Sequence, residues 1–211
     1  MQTTHHFINK YPISAGSEKL ILGTIHPHDV SSFKLPFFYG NKLSLWNILN
    51  EAFPSELQAP LTVAGIVEFL KKRKTAISDT ILTCQRKNNS ALDSDLIPET
   101  LNVALLDEIR NSAITEIYFT SGFGKNNAFK LFYEDILKMK ITKEIKVNKS
   151  VIIPAQIFGR EIHCRILISP SGAANISLSI SPEYRLAMHK YAGSKRPVQD
   201  YKIDYYRNIF Q

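Results

Sequence analysis

Long apolar runs are missing from this chain. No stretch approaches the roughly 20 apolar residues needed to cross a bilayer, and Met1 to Lys10 carry no apolar signal core. A cytoplasmic, nucleoid-associated location without membrane contact is therefore expected. Cysteine is scarce. Cys84 and Cys164 both lie in apolar strand-like runs, where a thiol behaves as a small hydrophobe. They form neither a disulfide framework nor a zinc set, and a reduced compartment fits. Acidic residues are in the minority, 19 Asp and Glu against 26 Lys and Arg, for a net charge of +7. That balance favours an acidic partner, of which nucleic acid is the commonest, because each phosphate neutralised by Lys or Arg releases counterions. Repeats and low-complexity linkers are absent. So is a Gly-x-Ser-x-Gly elbow, which argues against a serine hydrolase of that type. His5 and His6 stand in a polar tail and are expected to be solvated, and His26 and His28 are too few to hold a metal without a third partner in sequence.

What is present suits one globular domain spanning 1–211, with 44% apolar and 21% charged residues. Lys19 to Gly23 is an apolar run ending in glycine, the pattern of a buried parallel strand. Leu45, Ile48, Leu49 and Ala52 recur at helical spacing, predicting a helix from about Leu43 to Phe53 that Pro54 stops. Val63, Ile66, Val67 and Leu70 predict another, with Lys71, Lys72, Arg73 and Lys74 following in its last turn. Cations there suit the negative helix end, so that cluster either caps the helix or meets phosphate. Further strands are predicted over Asp79 to Cys84, Ile117 to Ser121, Val147 to Ile157 and Glu161 to Ile168. A polar loop runs from Arg86 through Asn88, Asn89 and Ala91 to Asp95. Helices are expected from Thr100 or Asn102, around Phe129 to Ile136, near Pro182 to Tyr191 and over Tyr201 to Phe210. Alternating strands and helices argue an α/β fold with helices on both faces of a mostly parallel sheet. The loops after Gly23, Cys84, Ser121 and Ile168 then meet at one rim, where ligands of such sheets bind.

Three of the loops carry chemistry. The first, Thr24 to Asp29, gathers His26, His28 and Asp29 beside Pro27. Phe37-Phe38-Tyr39-Gly40-Asn41 offers an aromatic ring beside a glycine that lets backbone approach a flat ligand closely. Taken alone, the same triplet reads first as an apolar anchor pinning a long loop. Ser169-Pro170-Ser171-Gly172-Ala173-Ala174-Asn175 is small and polar, and its amides and hydroxyls suit phosphate oxygens as well as ordinary turns.

In order, these blocks resemble the uracil-DNA glycosylase superfamily, nearest its mismatch-specific and hypoxanthine-type branches. The first-strand loop resembles a Gly-x-x-Pro loop, and Tyr39-Gly40 through Trp46 a Tyr-Gly block. Gly65-Ile66, Asp79, Ile81, Arg86 and Ser90 to Asp95 are similar to the middle block. Tyr118 to Ser121 through Phe129 resembles the third strand and its helix, and Ser169 to Asn175 the closing loop. The resemblance covers roughly Leu20 to Asn175 and implies a three-layer α/β/α fold on a mostly parallel four-stranded sheet. It implies a monofunctional DNA glycosylase that hydrolyses the N-glycosidic bond of a deaminated base, uracil or hypoxanthine, in base-excision repair. No cofactor and no obligate protein partner is implied; the partner is DNA with the damaged base flipped out. On that reading Asp29 and His26 position water, Thr24, Tyr39, Asn41 and Thr120 hold the base, and Ser169, Ser171, Gly172 and Asn175 grip DNA.

Several positions depart from the pattern. One extra residue separates Gly23 from Pro27, and His26 stands before the proline. Leu43 or Ser44 falls near the place of the Tyr-Gly block's Asn, and Thr120 and Ser121 end the third strand where some relatives place an essential Asn. A nucleic-acid-binding relative that has lost catalysis, and an enzyme acting on nucleosides, remain alternatives.

Overall fold

The computed structural model describes residues 1–87, 90 and 92–211; Asn88, Asn89 and Ala91 of the polar loop lie outside them. In chain order the chain begins with β1 (Gln2–Thr4), β2 (Lys19–Gly23), α1 (Ser44–Ala52), α2 (Val63–Lys72), β3 (Thr75–Asp79), β4 (Ile81–Arg86) and β5 (Leu96–Leu101). There follow α3 (Leu105–Arg110), β6 (Glu116–Phe119), α4 (Ala128–Lys130, running on as a π-helical turn over Leu131–Ile136) and α5 (Lys143–Asn148). The chain closes with β7 (Ser150–Ile153), α6 (Ala155–Phe158), β8 (Ile162–Ile166), α7 (Asn175–Ser179), α8 (Pro182–Ala187) and α9 (Pro197–Phe210).

The main sheet has five strands in the order β3-β2-β6-β8-β7, where the sequence reading implied four. β3, β2, β6 and β8 are parallel, and β7 joins the edge antiparallel to β8. Alternation along β2 sorts the core. Ile21 packs with Trp46, Phe69 and Tyr206 of α1, α2 and α9. Leu20 and Leu22 face the other way, among Leu105, Ile109 and Phe129 of α3 and α4. Both faces are thus roofed by helix, as a parallel sheet requires.

The second parallel strand is displaced from its expected place. The run expected as one strand from Asp79 to Cys84 is split at Thr80. Asp79 ends β3 of the main sheet, and Ile81 begins β4 of a separate antiparallel sheet ordered β1-β4-β5. Thr80 makes the switch, its N–H bonding to Gly23 O at 3.0 Å and its own carbonyl accepting from Asn102 N at 2.9 Å. A buried strand has no polar face to set its phase, so the pattern alone could not mark this break.

Smaller corrections follow. Thr100 lies in β5, and the next helix starts at Leu105. Of Val147 to Ile157 only Ser150–Ile153 is strand, and Val147 is an exposed residue of α5. The N-terminal tail is not free: β1 pairs with β4, and the His5 side chain is buried while His6 stays exposed. Lys71 and Lys72 do end α2; Lys72 and Arg73 pair with Glu56, and Lys74 pairs with Glu18. Among the described residues, no helix is long and apolar enough to cross a membrane.

Candidate active site

Parallel pairing sets Gly23 beside Asp79 at the carboxyl ends of β2 and β3, with Leu22 beside Phe119 of β6. Thr24 and Thr120 are the next residues out. Gly23 is required here by crowding. A Cβ on it would fall well inside 3.0 Å of both Asp79 Oδ1 and the Tyr39 hydroxyl. Those two groups therefore lie together over the glycine. Tyr39 reaches the spot from a loop in which it takes a left-handed φ of 55°, a conformation costly for an aromatic residue. Phe37 and Phe38, each 1% exposed, bind that loop to the core, and Trp46 Nε1 donates to Phe38 O at 2.7 Å. Two rings of the aromatic triplet thus anchor the loop, and the third delivers its hydroxyl to the rim. That hydroxyl bonds Thr120 Oγ1 at 2.6 Å. Burial, and then the charge of Asp79, push the phenol far above its ordinary range, so it stays protonated.

Asp79 is held by a residue more than seventy positions away. His5 Nε2 lies 2.8 Å from Asp79 Oδ2. The other ring nitrogen, Nδ1, accepts from the amides of Phe7 at 3.1 Å and Ile8 at 3.2 Å. A nitrogen that accepts two N–H bonds carries no proton, so Nε2 carries it and donates to the carboxylate. Burial raises the Asp79 carboxyl above the usual carboxylate range, and the His5 hydrogen bond opposes this.

A second carboxyl stands nearby. Thr24 Oγ1 donates to Asp93 Oδ1 at 2.9 Å. Asn126 Nδ2 donates to the carbonyls of Asp93 at 2.9 Å and Leu96 at 2.6 Å, tying the Asp93 turn to the loop after β6. Burial raises the Asp93 carboxyl as well; the hydroxyls of Thr24 and Ser121 oppose it, and the charge of Asp79 adds to it. Two neighbouring carboxyls whose burial makes each resist ionisation are a frequent mark of acid–base chemistry.

The residues expected to form the site therefore divide. Thr24, Tyr39 and Thr120 are brought together at the rim with Asp79 and Asp93. His26 is 5% exposed, and both its ring nitrogens are engaged, Nδ1 with Pro27 O at 2.7 Å and Nε2 accepting from His6 N at 3.0 Å. Burial above all, and neighbouring His5, His6 and Arg86, push its pKa down to about 4, so the ring is neutral. Asp29 is exposed and accepts from Ser31, from the amide at 3.0 Å and the hydroxyl at 2.6 Å; these bonds hold its carboxyl below the usual range. Asn41 is half-buried in the turn before α1.

The Ser169–Asn175 loop is braced from beneath. Tyr206 OH donates to Ile168 O at 2.6 Å, and Lys202 Nζ to Ser171 O at 2.8 Å. Lys202 is wholly buried, which pushes its ammonium pKa down to about 8. Ser169 Oγ accepts from Ser171 N, and Ser171 Oγ from Ala173 N, each at 3.3 Å. Ser171 and Gly172 are exposed, and Asn175 has a buried Oδ1 without a partner.

Sequence reasoning assigned no role to His5, Asp79 or Asp93. Once β3 is seen to end at Asp79, the position itself is the signal: a lone carboxylate closing an apolar run at the rim of a parallel sheet. Nothing local marks His5. Among the described residues, no cluster of three or more His, Cys, Asp or Glu is placed to hold a metal ion.

No protein-family model and no curated protein matches this chain. Among solved structures, the solution NMR structure of a "putative Uracil DNA glycosylase" from Methanosarcina acetivorans is similar at 20% identity, with a TM-score of 0.49, over 100% of both chains.

Proposed function

We propose that this chain is a DNA glycosylase that hydrolyses the N-glycosidic bond of a deaminated base such as uracil or hypoxanthine. The observation that carries the reading is the meeting of Asp79, Asp93, Tyr39, Thr24 and Thr120 at the ends of β2, β3 and β6. It is supported by the resemblance of the sequence blocks and by the net charge of +7.

Asp93, the more exposed of the two carboxyls, takes the proton of the attacking water. The water oxygen bonds to the sugar carbon as the bond to the base breaks and its electron pair leaves with the base. Asp79, fixed by His5, supplies the negative charge that stabilises the cationic sugar. Tyr39 is anchored by its hydroxyl, and its ring is the platform for the flipped base. Asn41 reads the base edge, since an amide both donates and accepts. The exposed Ser171 and Gly172, with the half-buried Ser169 and Asn175 beside them, grip phosphate. Asp29 and His26 shape the first loop in this scheme: Asp29 Oδ1 accepts from Ser31, and the His26 ring bonds Pro27 O and the His6 amide.

Duplex and single-stranded oligonucleotides bearing uracil, hypoxanthine or xanthine, incubated with excess protein, are expected to yield alkali-labile abasic sites from at least one lesion. No release from any of them supports the second reading, a nucleic-acid-binding relative without catalysis. The crowding above Gly23, where the Tyr39 hydroxyl and the Asp79 carboxyl already sit, favours that reading. Steep salt sensitivity of binding is expected under both and separates them from a nucleoside enzyme.

A further inference from the structure

At the opposite end of the strands lies a cavity of about 470 Å³. It is bounded by the amino-terminal half of β3, by the outer face of α2 and by the segment running from Lys10 to Ser17. Its volume falls within the range of small-molecule sites. Phe37, Leu70, Ala76 and Ile77 form a buried apolar floor, and Tyr11 stands as a wall, its ring edge-on to Phe37 at 4.6 Å. Val67, an apolar residue 38% exposed, lies at the rim.

The polar lining has one sign. Lys10, Lys71 and Lys74 all border the cavity, and among the described residues no Asp or Glu does. Lys74 is neutralised by Glu18 at 2.5 Å. Lys10 and Lys71 have no ion pair among the described residues; Lys10 only lies 5.5 Å over the Tyr11 ring. The neighbouring cations of the same basic cluster are otherwise engaged, Lys72 and Arg73 by Glu56, with Arg73 also stacked on Phe53 at 3.8 Å. Capping α2 accounts for the cluster's position but not for this division of partners. Space is left too: a Cβ added at Gly16, on the cavity wall, would meet nothing within 4 Å.

We propose that this cavity is a binding site for a small amphipathic anion, a compact apolar body carrying one carboxylate, sulfonate or phosphate. The body lies on Phe37, Leu70 and Ile77, and the head group reaches the ammonium groups of Lys10 and Lys71. The site is separate from the strand-end rim and does not depend on the glycosylase reading.

The test titrates the full chain with 1-anilinonaphthalene-8-sulfonate, an aromatic anion, followed by fluorescence and by amide NMR. Saturable binding of one equivalent is expected, with shifts centred on Tyr11, Gly16, Lys71 and Ala76. The uncharged analogue N-phenyl-1-naphthylamine should bind about ten-fold more weakly. The surface double variant Lys10→Gln/Lys71→Gln should lose about the same factor, as two partly solvated ion pairs allow. Val67→Trp, which fills the mouth, should abolish binding with the thermal midpoint retained. Non-saturable binding, shifts centred elsewhere, equal affinity for the neutral analogue, or indifference to the lysine substitutions overturns the proposal.

Discussion

Gly23→Ala isolates the packing on which the rim depends. The added methyl collides with Asp79 Oδ1 and the Tyr39 hydroxyl at once, and Tyr39 Cζ is only 3.3 Å away. Neither neighbour yields freely. Asp79 is bonded to His5 at 2.8 Å, and Tyr39 to Thr120 at 2.6 Å. Overpacking a filled site costs about 1–3 kcal/mol, and losing the Tyr39–Thr120 bond adds about 1 kcal/mol. A loss of about 2–4 kcal/mol in urea unfolding is expected, which for a chain of this size lowers the melting midpoint by about 4–16 °C. The decisive measurement is the cycle with Tyr39→Phe. Removing the hydroxyl takes away one of the two collisions, so the double variant should be more stable than the sum of the singles by about 1 kcal/mol or more. A loss below about 0.5 kcal/mol for Gly23→Ala, or strict additivity in the cycle, would refute the crowded rim.

Four further outcomes are expected. Asp93→Asn should lower base release by about 100- to 10,000-fold in single-turnover assays while sparing lesion-strand affinity; unchanged turnover removes Asp93 from the chemistry. Tyr39→Ala should weaken binding to a lesion strand by about 1–3 kcal/mol if the ring is a stacking platform, read by anisotropy titration against an undamaged control. His5→Phe deprives buried Asp79 of its donor and should cost about 2–3 kcal/mol at pH 7. The folded Asp79 pKa then rises further above its unfolded value, so the variant should regain stability as pH falls from 7 towards 5; a flat difference from the parent would contradict the pairing. His26, depressed from 6.5 to about 4, acts with the opposite sign. Its folded pKa lies below the unfolded one, so its contribution of about 3 kcal/mol is full above pH 6.5 and is lost between pH 6.5 and 4. Imidazole nitrogen shifts should show it neutral until about pH 4, and a midpoint near 6.5 would contradict its burial.

Much of the scaffold was legible because its signals are local. Lys19–Gly23 and the helical spacing of Leu45 to Ala52 each declare themselves within one element, and the structure places β2 and α1 there within a residue or two. The site was less legible because its signals are not local. The apolar run after Asp79 reads as a strand that Asp79 opens, whereas Asp79 closes the strand before it, and the break falls on Thr80, itself a β-prone residue. That single phase error moved the carboxylate to the wrong end of the sheet. His5 belongs to a tail whose strand is only three residues long, too short for any periodicity, and its partner lies across the fold. Asp29 stands as an acid beside two histidines, and in the structure one of its carboxylate oxygens, Oδ1, closes a turn with Ser31. Sequence spacing cannot distinguish a carboxylate that closes its own turn from one aimed at a ligand.

The crossing of the chain at Thr80 ties the two sheets into one mechanical unit. Residues on either side of it belong to different hydrogen-bonded layers, and a single residue serves both, its N–H on Gly23 of the main sheet and its carbonyl on Asn102 just past β5. Cys84 of β4 is wholly enclosed against Ile25, Ile81, Leu96 and Leu131. Enlarging that thiol would overpack the small sheet, which has no space to receive it.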